Sequence, residues 1–142
     1  MAVSNSVPIE SLKNQYTFVH INTHNKMKFV LTKKDIVALN QEFGRGNFHN
    51  ETSLDFALRY AGKTENWTKA LAWLTRAILL DHVFEEGNKR TAALLITAYA
   101  QFEGCEVYED KVIKLIKAII IQKITSITKI EEMINNVIRK IQ

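Results

Sequence analysis

Cysteine, proline and long apolar runs are almost missing from this chain of 142 residues. The only cysteine, Cys105, has no second thiol with which to form a disulfide inside the chain. No apolar run approaches the length of a bilayer span, and the first residues lack the charged start and apolar centre of a signal peptide. These absences predict a cytoplasmic protein without a membrane segment. The one proline, Pro8, lies in a polar stretch, and we predict a flexible lead-in over residues 1–15.

Runs of like charge are also missing. Lysine and arginine number 19 against 15 acidic residues, which gives a net charge of +4, but the basic residues are scattered along the chain. Proteins that bind nucleic acid usually gather such residues in one patch or run, so the pattern disfavours nucleic acid as a partner. With 46% apolar and 24% charged residues, the chain has the composition of one folded domain, which we place at residues 16–142.

Residues 16–31 have the pattern of a β-hairpin. Two arms rich in β-branched and aromatic residues flank a polar turn. His20 and His24 stand four residues apart, a spacing that places two metal ligands on one face of a helix, but strands joined by a turn do not hold them that way. We therefore predict that both histidines are exposed to solvent.

Residues 32–142 have a helical pattern and form the predicted helical core. Thr32 and Asp35 make a capping box at the start of a first helix, and Thr128 with Glu131 makes a second box at the start of the last. The predicted fold class is all-α, a bundle of about six helices with a small N-terminal β-hairpin. After the first helix, the others are predicted over residues 52–61, 65–81 and 91–102, from Asp110 to Ile124, and from Thr128 through Ile141.

The loop before the fourth predicted helix, residues 82–92, concentrates chemically capable side chains. His82 is a candidate general base, because an imidazole titrates near neutral pH and can accept a proton from a hydroxyl. Glu86 offers a hard oxygen ligand that suits Mg²⁺ when phosphates supply the other ligands. We predict that Phe84 faces inward and fixes the loop to the bundle.

The second half of the same loop has the residues of a phosphate-binding site. Gly87 allows the backbone to pass close to a ligand, and Asn88 can add an amide donor to the free N–H groups of a helix start. Arg90 offers a planar fork for two phosphate oxygens, and Lys89 offers a compact charge. Each residue alone also fits a simple structural role, as a helix cap, a solvated charge or a packed ring. Their combination in one short loop favours an active site that handles phosphate.

This loop resembles the signature of the Fic/Doc family, His-x-Phe-x-(Asp/Glu)-Gly-Asn-(Gly/Lys)-Arg. The similarity extends over about residues 31–142 and is closest to the Doc-like, or death-on-curing, toxins. It implies a Fic-like helical bundle with an active-site flap. The positions that match the signature are His82, Phe84, Glu86, Gly87, Asn88, Lys89 and Arg90.

The resemblance implies a transferase that modifies proteins. In this family the histidine deprotonates a target hydroxyl, which attacks a phosphate of ATP or another nucleoside triphosphate bound with Mg²⁺. Lys89 and Ala93 stand where typical Fic members, which transfer AMP, have a glycine and a second arginine. Both departures resemble Doc, in which the nucleotide binds reversed and presents its γ-phosphate. Transfer of phosphate to a Thr or Ser hydroxyl is therefore favoured, with elongation factor Tu as the implied target and a block of translation as the effect. AMP transfer and an inactive binding module remain as alternatives.

The resemblance also implies a flap and a partner. Fic-type flaps hold the target as an added strand, and residues Gly46, Asn47, Phe48 and His49 occupy the matching link, whose simpler interpretation is a plain connector. Many members are inhibited by a glutamate in a Ser/Thr-x-x-x-Glu-(Gly/Asn) helix. Residues 128–132 have the first spacing but continue with Met133, so we interpret them as a helix cap. A separate antitoxin chain is then the expected source of inhibition.

Overall fold

The N-terminal β element is a hairpin, as the sequence predicts. A computed structural model describes residues 19–21 and 27–141, so the predicted lead-in and His24 lie outside the described residues. Strand β1 (Val19–Ile21) pairs antiparallel with β2 (Met27–Phe29), with Val19 opposite Phe29 and His20 opposite Lys28.

Helices make up most of the rest of the described chain. No helix within residues 27–141 combines the length and the apolar character needed to cross a membrane. The mostly helical architecture with a small hairpin is confirmed. The helices are α1 (Lys33–Asn40), α2 (Glu51–Ala61), α3 (Trp67–Leu80), α4 (Asn88–Phe102), α5 (Glu109–Gln122) and α6 (Ile127–Asn135).

Helix α4 is buried on nearly every face, as its apolar sequence predicts, but α3 packs against more of the other helices, so the central position is shared. Residues 91–96 and 98–100 are all buried, and the helix contacts α1, α3, α5 and the strand that follows it. Four of the buried side chains are alanines, which let the neighbouring helices approach closely. The loop of residues 82–87 enters this helix directly, so a well-buried helix supports the candidate site.

Two capping boxes were predicted, and the structure contains one of them. Thr32 accepts a hydrogen bond from the backbone N–H of Asp35, and the Asp35 carboxylate accepts one from the N–H of Thr32. The predicted box at the last helix is wrong, because Ser126 caps α6 two residues earlier. Glu131 accepts hydrogen bonds from Asn66 and Thr68 at the start of α3 instead, so it joins two helices.

Two other helix starts also differ from the prediction. Asn50, not a residue near Thr52, caps α2 by accepting from the N–H of Ser53. Helix α5 follows Tyr108 without a side-chain cap, so Asp110 lies in its first turn. An aspartate there still interacts favourably with the positive end of the helix dipole.

The prediction of a helix through Ile141 is wrong beyond residue 135. Helix α6 ends at Asn135, and β4 (Ile138–Lys140) pairs antiparallel with β3 (Cys105–Val107), which lies in the gap between two predicted helices. Val137 and Ile141 have a helical spacing, but Val137 is buried at the reversal and its carbonyl accepts from the N–H of Tyr108. Pairing with β3 satisfies backbone groups that the sequence pattern alone assigned to a helix.

Candidate active site

The candidate base, His82, lies in an unusual backbone conformation. Helix α3 ends at Leu80, and His82 follows with φ of 50°, in the left-handed region, with its side chain exposed. Glycine usually occupies such a position after a helix, because a β-carbon makes it unfavourable. Strained positions of this kind cluster at functional sites, where the surrounding structure maintains them. The fold thus presents an imidazole to solvent where a glycine would be more stable.

The predicted flap, residues 46–49, pairs with this loop. Phe48 and Phe84 form an antiparallel β-bridge, and their rings stack with centroids 5.5 Å apart. The backbone N–H of His49 donates to the carbonyl oxygen of Val83 at 2.8 Å. The N–H of Glu85 donates to the carbonyl oxygen of Asn47 at 3.0 Å. Phe84 is 1% exposed, so the prediction that it faces inward is confirmed. Flap and loop therefore form one ordered unit.

The outer edge of the flap remains open. Neither the N–H nor the C=O of Phe48 makes a hydrogen bond with the residues described. In an antiparallel bridge of this kind these groups point away from the partner strand. The Lys33 ammonium lies 5.5 Å from the centre of the Phe48 ring and pairs with Glu51 and Asp55. Lys33 thus connects the Phe48 ring to two carboxylates of α2.

His49 lies next to the candidate base. The rings of His49 and His82 meet edge to face with centroids 6.5 Å apart. The sequence placed His49 on the flap but did not indicate this contact, which joins positions 33 residues apart.

Asn88 closes the loop. Its side-chain oxygen accepts from the N–H of Phe84 at 3.0 Å, and its side-chain nitrogen donates to the carbonyl of Phe84 at 2.8 Å. The sequence interpretation gave Asn88 only a role as a phosphate donor. In the structure its amide also fixes the shape of the loop between His82 and helix α4.

The start of α4 offers unpaired donors. Gly87 is the N-cap, with φ of 76°, and provides no side-chain cap. Within the described ranges, the backbone N–H groups of Asn88, Lys89 and Arg90 donate to no acceptor. Lys89 and Arg90 are exposed and form no ion pair with another described residue. Free N–H groups, the helix dipole and two cations together make this end attractive to anions.

The predicted residues line one open cleft of about 570 Å³, a volume within the usual range of small-molecule sites. Its apolar wall comes from α3, α5 and the turn after α1. The cleft therefore combines a base, an acid and a cationic helix start. The residues around it are His82, Glu86, Gly87, Asn88, Lys89 and Arg90, with Phe43, Leu79 and Ile120 as the wall.

Asn40 is a positioning residue that the sequence interpretation missed. It is fully buried at the end of α1. Its nitrogen donates to the Glu86 carbonyl at 2.8 Å and to the Thr91 hydroxyl at 3.1 Å, and its oxygen accepts from the N–H of Gly46 at 2.9 Å. One side chain thus joins the loop, the first turn of α4 and the flap. A signal exists in the sequence: this amide stands four residues after Ile36, on the apolar stripe of α1.

Glu86 fits a magnesium ion that phosphates help to bind. Its side chain is exposed, lines the cleft and makes no ion pair in the part of the chain that the structure describes. That part contains no cluster of three or more His, Cys, Asp and Glu side chains able to bind a metal alone. Mg²⁺ commonly binds through one or two carboxylates together with substrate phosphates, so one carboxylate beside an anion site suffices.

Gly87 provides a test of how tightly the loop is packed. A β-carbon there would lie 3.2 Å from the Asn40 nitrogen and 3.3 Å from the Phe43 β-carbon, whereas one on Gly104, with a similar φ of 75°, would meet nothing within 4 Å. Gly104→Ala should cost about 1–2 kcal/mol through backbone strain alone. Gly87→Ala should cost more and impair nucleotide binding, as measured by chemical denaturation and calorimetry. Equal effects of the two changes would contradict close packing at Gly87.

Comparison of the chain with family models, curated proteins and solved structures gives no match. The resemblance to the Fic/Doc family therefore rests on the sequence alone.

Proposed function

We propose that the protein is a Doc-like transferase that moves the γ-phosphate of a nucleoside triphosphate to a Thr or Ser hydroxyl of a target protein. One observation supports this most strongly: the exposed imidazole of His82 shares a cleft with an uncapped helix start and two unpaired cations. A histidine base and helix N–H donors also occur in acyl-transfer sites, but the two added cations favour a phosphate as the group that is bound. Phosphoryl transfer needs a base for the hydroxyl and fixed positive charge for the phosphate.

The proposed reaction uses the loop residues in defined roles. His82 takes the proton of the target hydroxyl, whose oxygen then forms a bond to the γ-phosphorus. The bond between this phosphorus and the bridging β–γ oxygen breaks, and the nucleoside diphosphate leaves with that oxygen. The N–H groups of α4, with Lys89 and Arg90, stabilise the phosphate charge. Mg²⁺ bound by Glu86 and the phosphates would neutralise charge that develops on the leaving group.

The open edge of the flap favours a protein as the target of the transfer. An extended segment that pairs with the N–H and C=O of Phe48, which make no hydrogen bond with the residues described, would add a strand to the bridge on the edge away from the loop. His49, whose ring contacts that of His82, is the neighbouring flap residue. The resemblance to Doc implies that the target is elongation factor Tu in the cytoplasm. It also implies a separate antitoxin chain as the inhibitor.

A labelling experiment tests the proposal. The full chain, free of any antitoxin, is incubated with Mg²⁺, elongation factor Tu or a cell extract, and ATP labelled at the γ- or the α-phosphate. We expect label on protein from γ-labelled ATP only. Label from the α-position would show AMP transfer instead, and no label from either would indicate a binding module. His20→Ala serves as a matched control, because His20 lies on β1, outside the loop.

A further inference from the structure

A second cavity continues from the cleft along α4. It has a volume of about 190 Å³, and Phe43 and Arg90 line both spaces. Arg90, Leu94, Thr97 and Gln101 recur every three or four residues, so they lie along one face of the helix. The cavity therefore starts where the cationic helix end stops and follows α4 towards its other end.

The cavity contains a buried acceptor without a partner. The side-chain oxygen Oε1 of Gln101 is inaccessible to solvent and makes no hydrogen bond within the described ranges. The surrounding wall is mostly apolar and includes Val107, Val112 and Ile113. A buried polar atom without a partner costs about 1–3 kcal/mol, so such atoms are rare in folded proteins and usually have a function. Here the atom belongs to a residue that lines a space open to a ligand.

The start of α4 and the second cavity carry charges of opposite sign. The start of α4 has free N–H groups, Lys89 and Arg90, whereas Glu106 and Glu109 line the second cavity. A polyphosphate suits the first end and would be repelled at the second. A flat, uncharged ring with hydrogen-bonding edges suits the second, where an apolar wall meets one amide.

We propose that this second cavity binds the adenine base of the nucleotide, with the Gln101 amide pairing with the 6-amino group and N7 of the base. The inference rests on the proposed function, because it takes the phosphates at the start of α4 as given. A glutamine amide pairs with these two adenine positions through one acceptor and one donor. Inosine presents two acceptors at the same edge, so Oε1 would stay unpaired.

The position of the second cavity along α4 favours transfer of the γ-phosphate. From Asn88 to Gln101 the helix rises about 20 Å at 1.5 Å per residue. The α-phosphate is attached directly to the nucleoside and stays in the half of the nucleotide next to the base. The terminal phosphate is the one that reaches furthest from a base at Gln101. This orientation brings the γ-phosphate, and not the α-phosphate, to His82.

Equilibrium binding tests the inference without any assay of activity. The full chain with Mg²⁺ is titrated by calorimetry with ATP, with inosine triphosphate and with inorganic tripolyphosphate. We expect inosine triphosphate to bind about tenfold more weakly than ATP, the loss of one paired amide edge. In Gln101→Leu, ATP binding should weaken about tenfold and the preference for ATP should fall to about twofold or less. Tripolyphosphate binding should not change.

The controls separate this inference from the proposed function. Gln122→Leu makes the same chemical change at an exposed position near the end of α5 and should bind like the original protein. Equal binding of ATP and inosine triphosphate by the unmodified chain would overturn the inference, even if phosphate transfer is observed. Selective binding that depends on Gln101, without transfer of label, would support the inference and contradict the proposed function.

Discussion

Alanine at position 82 is expected to reduce phosphate transfer on the order of 100-fold or more, the usual contribution of a general base. His82 is exposed, so the loss should come from the imidazole and not from unfolding. The measurement is the rate of label transfer from γ-labelled ATP at saturating nucleotide. ATP binding itself should change little, because the proposed phosphate site consists of the N–H groups of α4, Lys89 and Arg90.

Replacement of His82 by glycine should abolish activity without a loss of stability. His82 has a positive φ, which costs a non-glycine residue about 1–2 kcal/mol. Glycine removes this cost but loses about 0.5–1 kcal/mol of chain entropy, so His82→Gly should be at least as stable as the original protein. It should also be more stable than His82→Ala in chemical denaturation, and equally inactive.

Lys123 offers a matched control for the backbone effect. It has φ of 51° at the end of α5 and does not line the cleft. Lys123→Gly should therefore change stability as His82→Gly does, with activity unchanged. Full activity of His82→Gly would contradict the assignment of the base.

Removal of the Asn40 amide should damage both the fold and the site. Asn40→Leu keeps a side chain of similar size but leaves the Glu86 carbonyl, the Thr91 hydroxyl and the N–H of Gly46 without this partner. The Thr91 hydroxyl still donates to the Gly87 carbonyl, so the Glu86 carbonyl and the N–H of Gly46 are the two groups left unsatisfied. At about 1–3 kcal/mol for each, we expect a loss on the order of 2–3 kcal/mol in the free energy of unfolding. Because the loop and the flap share this side chain, the turnover rate should also fall, measured where the variant is fully folded.

Asn135→Ala is the control for this change. Asn135 is exposed in the last turn of α6, so its replacement should change stability by about 0.5 kcal/mol or less. A variant Asn40→Leu with the stability of this control would show that the hydrogen bonds of Asn40 do not hold the loop in place.

The elements whose formation depends on residues close together in the sequence could be predicted. The capping box at Thr32, the pairing of β1 with β2 and the burial of α4 follow from local spacing and composition. The residues of the cleft were also predicted, because His82 to Arg90 are consecutive and need only one loop to meet.

The contacts between distant segments could not be predicted. The bridge of Phe48 with Phe84 crosses 36 residues, and no local pattern in a Gly- and Asn-containing link specifies its partner. The pairing of β4 with β3 joins segments more than 30 residues apart, so the helical spacing of Val137 and Ile141 was misleading. The role of Asn40 could not be predicted either, because it depends on where α1 packs against α4.

A crystal structure with Mg²⁺ and the non-hydrolysable β,γ-imido analogue of ATP tests the central claim most directly. The account predicts the terminal phosphate on the N–H groups at the start of α4, with the imidazole of His82 turned towards it and the base next to Gln101. A terminal phosphate bound away from this helix start, or an imidazole of His82 directed away from the nucleotide, would contradict it.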